Sequence, residues 1–144
     1  MPEKNELEKG TRFMMDFTKI KTIARTSSRD VIPVAVINID TGRLLIIAYV
    51  DEQALRATFV NKLATFWSTS KNKLWPKGQT SGDELQFIYA EVNCEQNSLA
   101  FYVRPKKGGA CHVTDESGNT YKTCYFRELI FDADGFRLSK PRNK

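Results

Sequence analysis

Two apolar, β-branched runs flank a short polar turn early in the chain, and no other feature constrains the fold as strongly. VIPVAVINI (31–39) and RLLIIAYV (43–50) are rich in valine and isoleucine, and DTGR (40–43) between them has turn composition. A side chain that branches at Cβ fits a pleated, half-buried surface better than a helix. The pair predicts a β-hairpin, with Pro33 near the start of its strand or on an edge.

The segments that follow continue this pattern. Asp51 can cap a helix over 51–62, where Ala54, Leu55, Phe59 and Leu63 recur at helical spacing. ATFWS (64–68), QFIYAEVNC (86–94), SLAFYVRP (98–105) and KTCYFRELIF (122–131) read as strands. MMDFTKIKTIA (14–24) suits a short amphipathic helix. TSKNKLWPKGQTSGDE (69–84) is too rich in glycine and lysine for a core element. The expected fold is α+β, mostly β: one compact domain over 13–136 with one clear helix. A flexible tail is expected at 1–12 and a C-terminal tail at 137–144.

A chain of 144 residues is long enough for a real core. No apolar run approaches the roughly 20 residues of a membrane span. The opening MPEKNELEKG is polar and charged, unlike an export signal. These features point to the cytoplasm and away from a membrane. The net charge of +5 suits a phosphorylated small molecule as well as nucleic acid. The basic residues are scattered, which argues against a nucleic-acid arm. Three cysteines, an odd number without an export signal, argue against a disulfide framework.

Two constellations carry chemistry. The first is Cys94, Cys111 and Cys124. Their wide spacing, with no CxxC, does not by itself separate a zinc site from three packing cysteines. Yet Cys111 lies in GGACH (108–112), directly before the only histidine, His112. Zinc on three protein ligands keeps a fourth position for water and lowers that water's pKa from about 16 to about 7. A histidine alongside can take or give a proton; the plainer alternative is a surface loop histidine without a role. The second constellation is WSTSKNKLWPKGQTSG (67–82), with Ser68, Ser70, Lys71, Lys77, Gly78, Thr80 and Ser81. Hydroxyls, ammonium groups and open backbone N–H groups suit phosphate. Trp75 can stack on a base or pack on the core. Composition alone fits a solvated loop equally well.

Taken in order, IPVAV, LLIIAYVDEQAL, the LW-x-KG-x-TSG block, VNC, ACH and TCYF resemble the phosphoribosyl-AMP cyclohydrolase family of histidine biosynthesis, from about Val31 to Leu129. The resemblance implies hydrolysis of the N1–C6 bond of the adenine ring in N1-(5-phosphoribosyl)-AMP. It implies zinc on Cys94, Cys111 and Cys124, catalysis by His112, and a homodimer with zinc sites at the subunit interface. The loop 68–81 would then receive a phosphorylated purine nucleotide.

The chain also departs from the family. Where the family has Asp-Cys-Asp-x-Asp, with aspartates that bind magnesium, this chain has Asn93-Cys94-Glu95-Gln96-Asn97. Magnesium prefers carboxylate oxygen, so the two amides argue against tight binding. Ser-Arg-Ser-Arg becomes Ser68-Thr69-Ser70-Lys71, and Gly-Glu-Thr-Ser-Gly becomes Gly78-Gln79-Thr80-Ser81-Gly82. The loop HVTDESGNTYKT (112–123) is longer than usual, with an expected tip at 117–119. Two rival readings stay open. One is a paralogue using the same zinc-hydroxide addition on a different purine-like nucleotide. The other is a non-catalytic, zinc-stabilised nucleotide- or RNA-binding module using Trp67 and Trp75.

Overall fold

In the computed structural model, which describes residues 4–144, the hairpin forms where the β-branched runs place it. Strands β1 (Ile32–Asn38) and β2 (Leu44–Val50) pair antiparallel, from Ile32 opposite Val50 to Ile37 opposite Leu44. Asn38 shapes the turn: its Oδ1 accepts from the Asp40 and Thr41 amides at 2.9 and 3.3 Å. Strand β6 (Leu99–Pro105) runs parallel to β1, and β5 (Leu85–Val92) pairs antiparallel with β6. The sheet order is β2-β1-β6-β5.

A parallel neighbour requires a crossover. Here the crossover carries helix α3 (Glu52–Asn61) and the ribbon of β3 (Thr65–Ser68) and β4 (Lys73–Pro76). Asp51 caps α3, its carboxylate accepting from the Ala54 amide at 2.8 Å. Thr58 ties the helix to β3: its hydroxyl donates to the Ala54 carbonyl and accepts from the Thr65 amide. Alternation then builds the core. Val34, Val36, Leu45, Phe101, Val103, Leu85 and Phe87 face inward onto Ala54, Ala64 and Phe66. The Phe87 ring meets Phe101 edge-on at 5.2 Å.

The outward face of the same sheet is also apolar. Pro33 pairs with Tyr49 and Ala35 with Ile47, and Tyr89 stacks on Tyr102 at 4.5 Å. Ile47 and Tyr89 are exposed there.

Several elements differ from the sequence expectation. The segment read as an N-terminal tail holds a helix, α1 (Lys4–Lys9); residues 1–3 lie outside the described residues. Helix α2 (Lys19–Thr26) begins later than 14–24 suggests, because the Asp16 carboxylate binds the Thr18 amide and hydroxyl and turns the chain there. The polar stretch 69–84 contains β4, held by pairing with buried β3 rather than by its own pattern. Of 122–131 only the last three residues are strand, within β7 (Leu129–Asp132), which pairs with β8 (Gly135–Leu138). Residues 122–126 instead wrap a second small core of Cys111, Val113, Tyr121 and Phe126. The C-terminal tail is tied down: the Arg142 amide donates to Phe126, and the Asn143 side chain donates to Asp115 at 2.9 Å. Among the described residues, no helix is long and apolar enough to cross a membrane.

Candidate active site

Two glycines make the GGACH turn. Gly108 has φ +86°, and a Cβ on Gly109 would collide with the Thr120 side chain. The amides of Ala110 and Cys111 both donate to the Tyr121 carbonyl at 3.0 Å. This geometry buries Cys111 and leaves the adjacent His112 side chain 70% exposed.

Cys111 meets Cys124 in the buried corner. A hydrogen bond from Cys124 pulls the Cys111 thiol down to about 6, helped by the Val113 amide on its sulfur at 3.5 Å. The same contact pushes Cys124 up, as burial does. The contact therefore favours the thiolate on Cys111 and the thiol on Cys124. Lys77 is buried beside them, its ammonium group on the Asp83 carbonyl at 3.4 Å. Burial lowers the Lys77 pKa, while Asp83 and the two sulfurs act in the opposite direction. A buried cation at this position favours the thiolate.

A cleft of about 670 Å³ opens next to this corner. Ser68, Ser70, Lys71, Trp75, Lys77, Gly78, Thr80 and Ser81 all line it, together with His112. Gly78 has φ +81°, and a Cβ there would strike the Asp83–Glu84 peptide. Trp75 is 38% exposed, so part of its ring is open, whereas Trp67 is buried. The expectation that both tryptophans are open for stacking is therefore corrected for Trp67, which sits in strand β3. A smaller cavity of about 330 Å³, lined by Arg43, Arg127 and Arg142, involves none of the candidate site residues.

Cys94 lies elsewhere, exposed in the turn between β5 and β6. Among the described residues, no three His, Cys, Asp or Glu side chains converge as a metal site would require, so Cys94 does not join the thiol pair within one chain. Its neighbours bond to one another. Asn93 donates to Asn97 Oδ1 at 2.6 Å, and Asn97 donates to Glu95 at 3.3 Å.

Sequence reasoning missed Glu8. Helix α1 brings it to the rim of the cleft, 2.8 Å from His112 Nε2. With the two 104 positions apart in the sequence, no local pattern signals the contact.

The fold and site together define a small α+β protein with a thiol pair beside a hydroxyl- and lysine-lined cleft and a histidine at its rim. The phosphoribosyl-AMP cyclohydrolase family model matches residues 46–126. A phosphoribosyl-AMP cyclohydrolase of Chloroherpeton thalassium is 32% identical over 114 residues, 79% of this chain and 76% of that protein. One of Thermobifida fusca is 37% identical over 103 residues, 72% of this chain and 78% of that protein. A histidine biosynthesis bifunctional protein of Aquifex aeolicus is 32% identical over 110 residues, 76% of this chain and 49% of that protein. The chain belongs to the phosphoribosyl-AMP cyclohydrolase family.

Proposed function

We propose that this protein hydrolyses the N1–C6 bond of the purine ring in N1-(5-phosphoribosyl)-AMP, a step of histidine biosynthesis, in the cytoplasm. The observation that carries the reading is the thiol pair: Cys111, drawn toward thiolate by Cys124, adjacent in sequence to the cleft-lining His112. Such a donor set suits zinc, which takes thiolate sulfur and needs few ligands. Cys111 and Cys124 of one chain and Cys94 of a second copy would hold it. When bound, zinc supplies Lewis acidity toward water and substrate.

The protein's own groups supply the rest. Ser68, Ser70, Lys71, Thr80 and Ser81 offer hydroxyls and a cation to phosphate. The open part of Trp75 offers a face to the purine. Lys77, buried beside the sulfurs, favours their charged form. His112 moves protons to and from the ring nitrogens as the C6–N1 bond breaks. The apolar outer face of the sheet supports a homodimer, since an isolated chain would leave Ile47 and Tyr89 in water.

Complementation tests the reaction. Expression of this chain should restore growth of a histidine auxotroph lacking the cyclohydrolase step. No growth, with soluble protein present, would favour the paralogue reading, which the changes at Thr69, Gln79, Asn93 and Asn97 support. The RNA-binding reading loses one of its two stacking groups with the burial of Trp67.

A further inference from the structure

Helix α1 has six residues, too few to persist alone in water. It is pinned from outside. The Arg127 guanidinium donates to the carbonyls of Gly10 and Leu7 at 2.9 and 3.0 Å. The Gly10 amide closes onto Glu6 at 2.9 Å, and the Leu138 amide of β8 donates to Thr11 at 2.8 Å. The helix, Arg127 and β8 all lie outside the matched span 46–126. The anchored segment presents one carboxylate to the cleft, that of Glu8, whose side chain is only 26% exposed. Its Oε2 lies 2.8 Å from His112 Nε2.

We propose that Glu8 is a positioning residue that orients His112 and fixes which ring nitrogen exchanges the proton. A carboxylate oxygen only accepts, so Nε2 must donate to it. The neutral ring is then the Nε2–H tautomer, and Nδ1 holds the free lone pair. An imidazole this exposed would otherwise rotate and sample both tautomers. The contact is half open to water, so the catalytic gain is modest. This catalytic role rests on the proposed function, whereas the tautomer does not.

Because His112 is the only histidine, ring-nitrogen NMR of the full chain labelled with ¹⁵N-histidine reads it without assignment. In mildly basic buffer, the parent should show a protonated Nε2 and an unprotonated Nδ1. Glu8→Ala should move both shifts toward averaged values. Glu8→Gln, whose amide oxygen still accepts, should restore them. In turnover, Glu8→Ala should lower kcat about tenfold with KM and zinc content unchanged, a fraction of the loss expected on removing the acid–base group itself. Glu8→Gln should recover most of that loss. A parent with Nδ1 protonated, or nitrogen shifts indifferent to Glu8→Ala, overturns the proposal. So does a rise in kcat in Glu8→Ala, which would make α1 an inhibitory strap. If the parent turns over no phosphoribosyl-AMP, the proposed function is wrong, and the nitrogen shifts still decide whether Glu8 fixes the ring.

Discussion

Asn93 and Asn97 close the β5–β6 turn on each other, Nδ2 to Oδ1 at 2.6 Å, and the Asn93 oxygen also accepts from the Asn97 and Ser98 amides at 2.9 Å. Donors and acceptors satisfy one another in this turn without a cation. Two aspartates held this close would repel and call for one.

Activity of the parent should therefore depend weakly on magnesium, or need it only at high concentration. Asp115 spends its carboxylate on the Ser117 and Asn119 amides and on the Asn143 side chain, each at 2.9 Å. Asn93→Asp/Asn97→Asp should melt earlier than the parent in magnesium-free buffer and recover when magnesium is added. Rate against magnesium, after a chelator treatment that spares zinc, gives the second readout. A parent that already saturates with magnesium at low concentration would refute this account of NCEQN.

The zinc assignment predicts one ion per chain by elemental analysis. Cys124→Ser removes the partner that draws Cys111 toward thiolate, so it should lose most of the metal. Cys94→Ser should lose zinc too, although Cys94 lies apart from the pair in one chain. Zinc loss in Cys94→Ser with a shift toward monomer by light scattering would tie the metal to the dimer. Full zinc in Cys124→Ser would exclude that residue as a ligand.

Capping offers a test independent of the chemistry. Asp51 is 5% exposed and holds the first turn of α3 through the Ala54 amide. Asp51→Ala should cost about 1–2 kcal/mol, a fall of several degrees in Tm for a chain of this size. Asp51→Asn should recover most of it. A Tm unchanged in Asp51→Ala would mean that packing alone holds the helix.

The parts legible in the sequence are those whose cause is local. Branched side chains on either side of Asp40–Arg43 specify the hairpin, and Asp51 with the apolar spacing of Ala54, Leu55 and Phe59 specifies α3. The cleft residues from Ser68 to Ser81 form one block, so a resemblance found them together. What could not be read depends on distant partners. Strand β4 exists because β3 is there to pair with it. Helix α1 exists because Arg127 reaches back to it, and Glu8 matters because it meets His112. Trp67 reads as an open aromatic beside a polar loop, yet its neighbour Phe66 draws that strand into the core.

His112 and Cys111 are adjacent in sequence but face different environments, one exposed at the rim of the cleft and one buried against Cys124. A zinc ligand is expected on the buried side, with the thiols. A group that exchanges protons with a bound nucleotide is expected on the open side. Three cysteines and one further position already complete a tetrahedral site. His112→Ala should therefore keep its zinc and its melting temperature while losing about 10²-fold or more in kcat, the scale of an acid–base group. His112→Asn separates two ways of losing that rate. An amide can still hydrogen-bond to Glu8 but cannot relay a proton, so it should be as slow as alanine. If His112→Asn turned over at the parent rate, the ring would serve only to hold Glu8 in place. If His112→Ala lost zinc, the imidazole would be a ligand and the open-side assignment would fail.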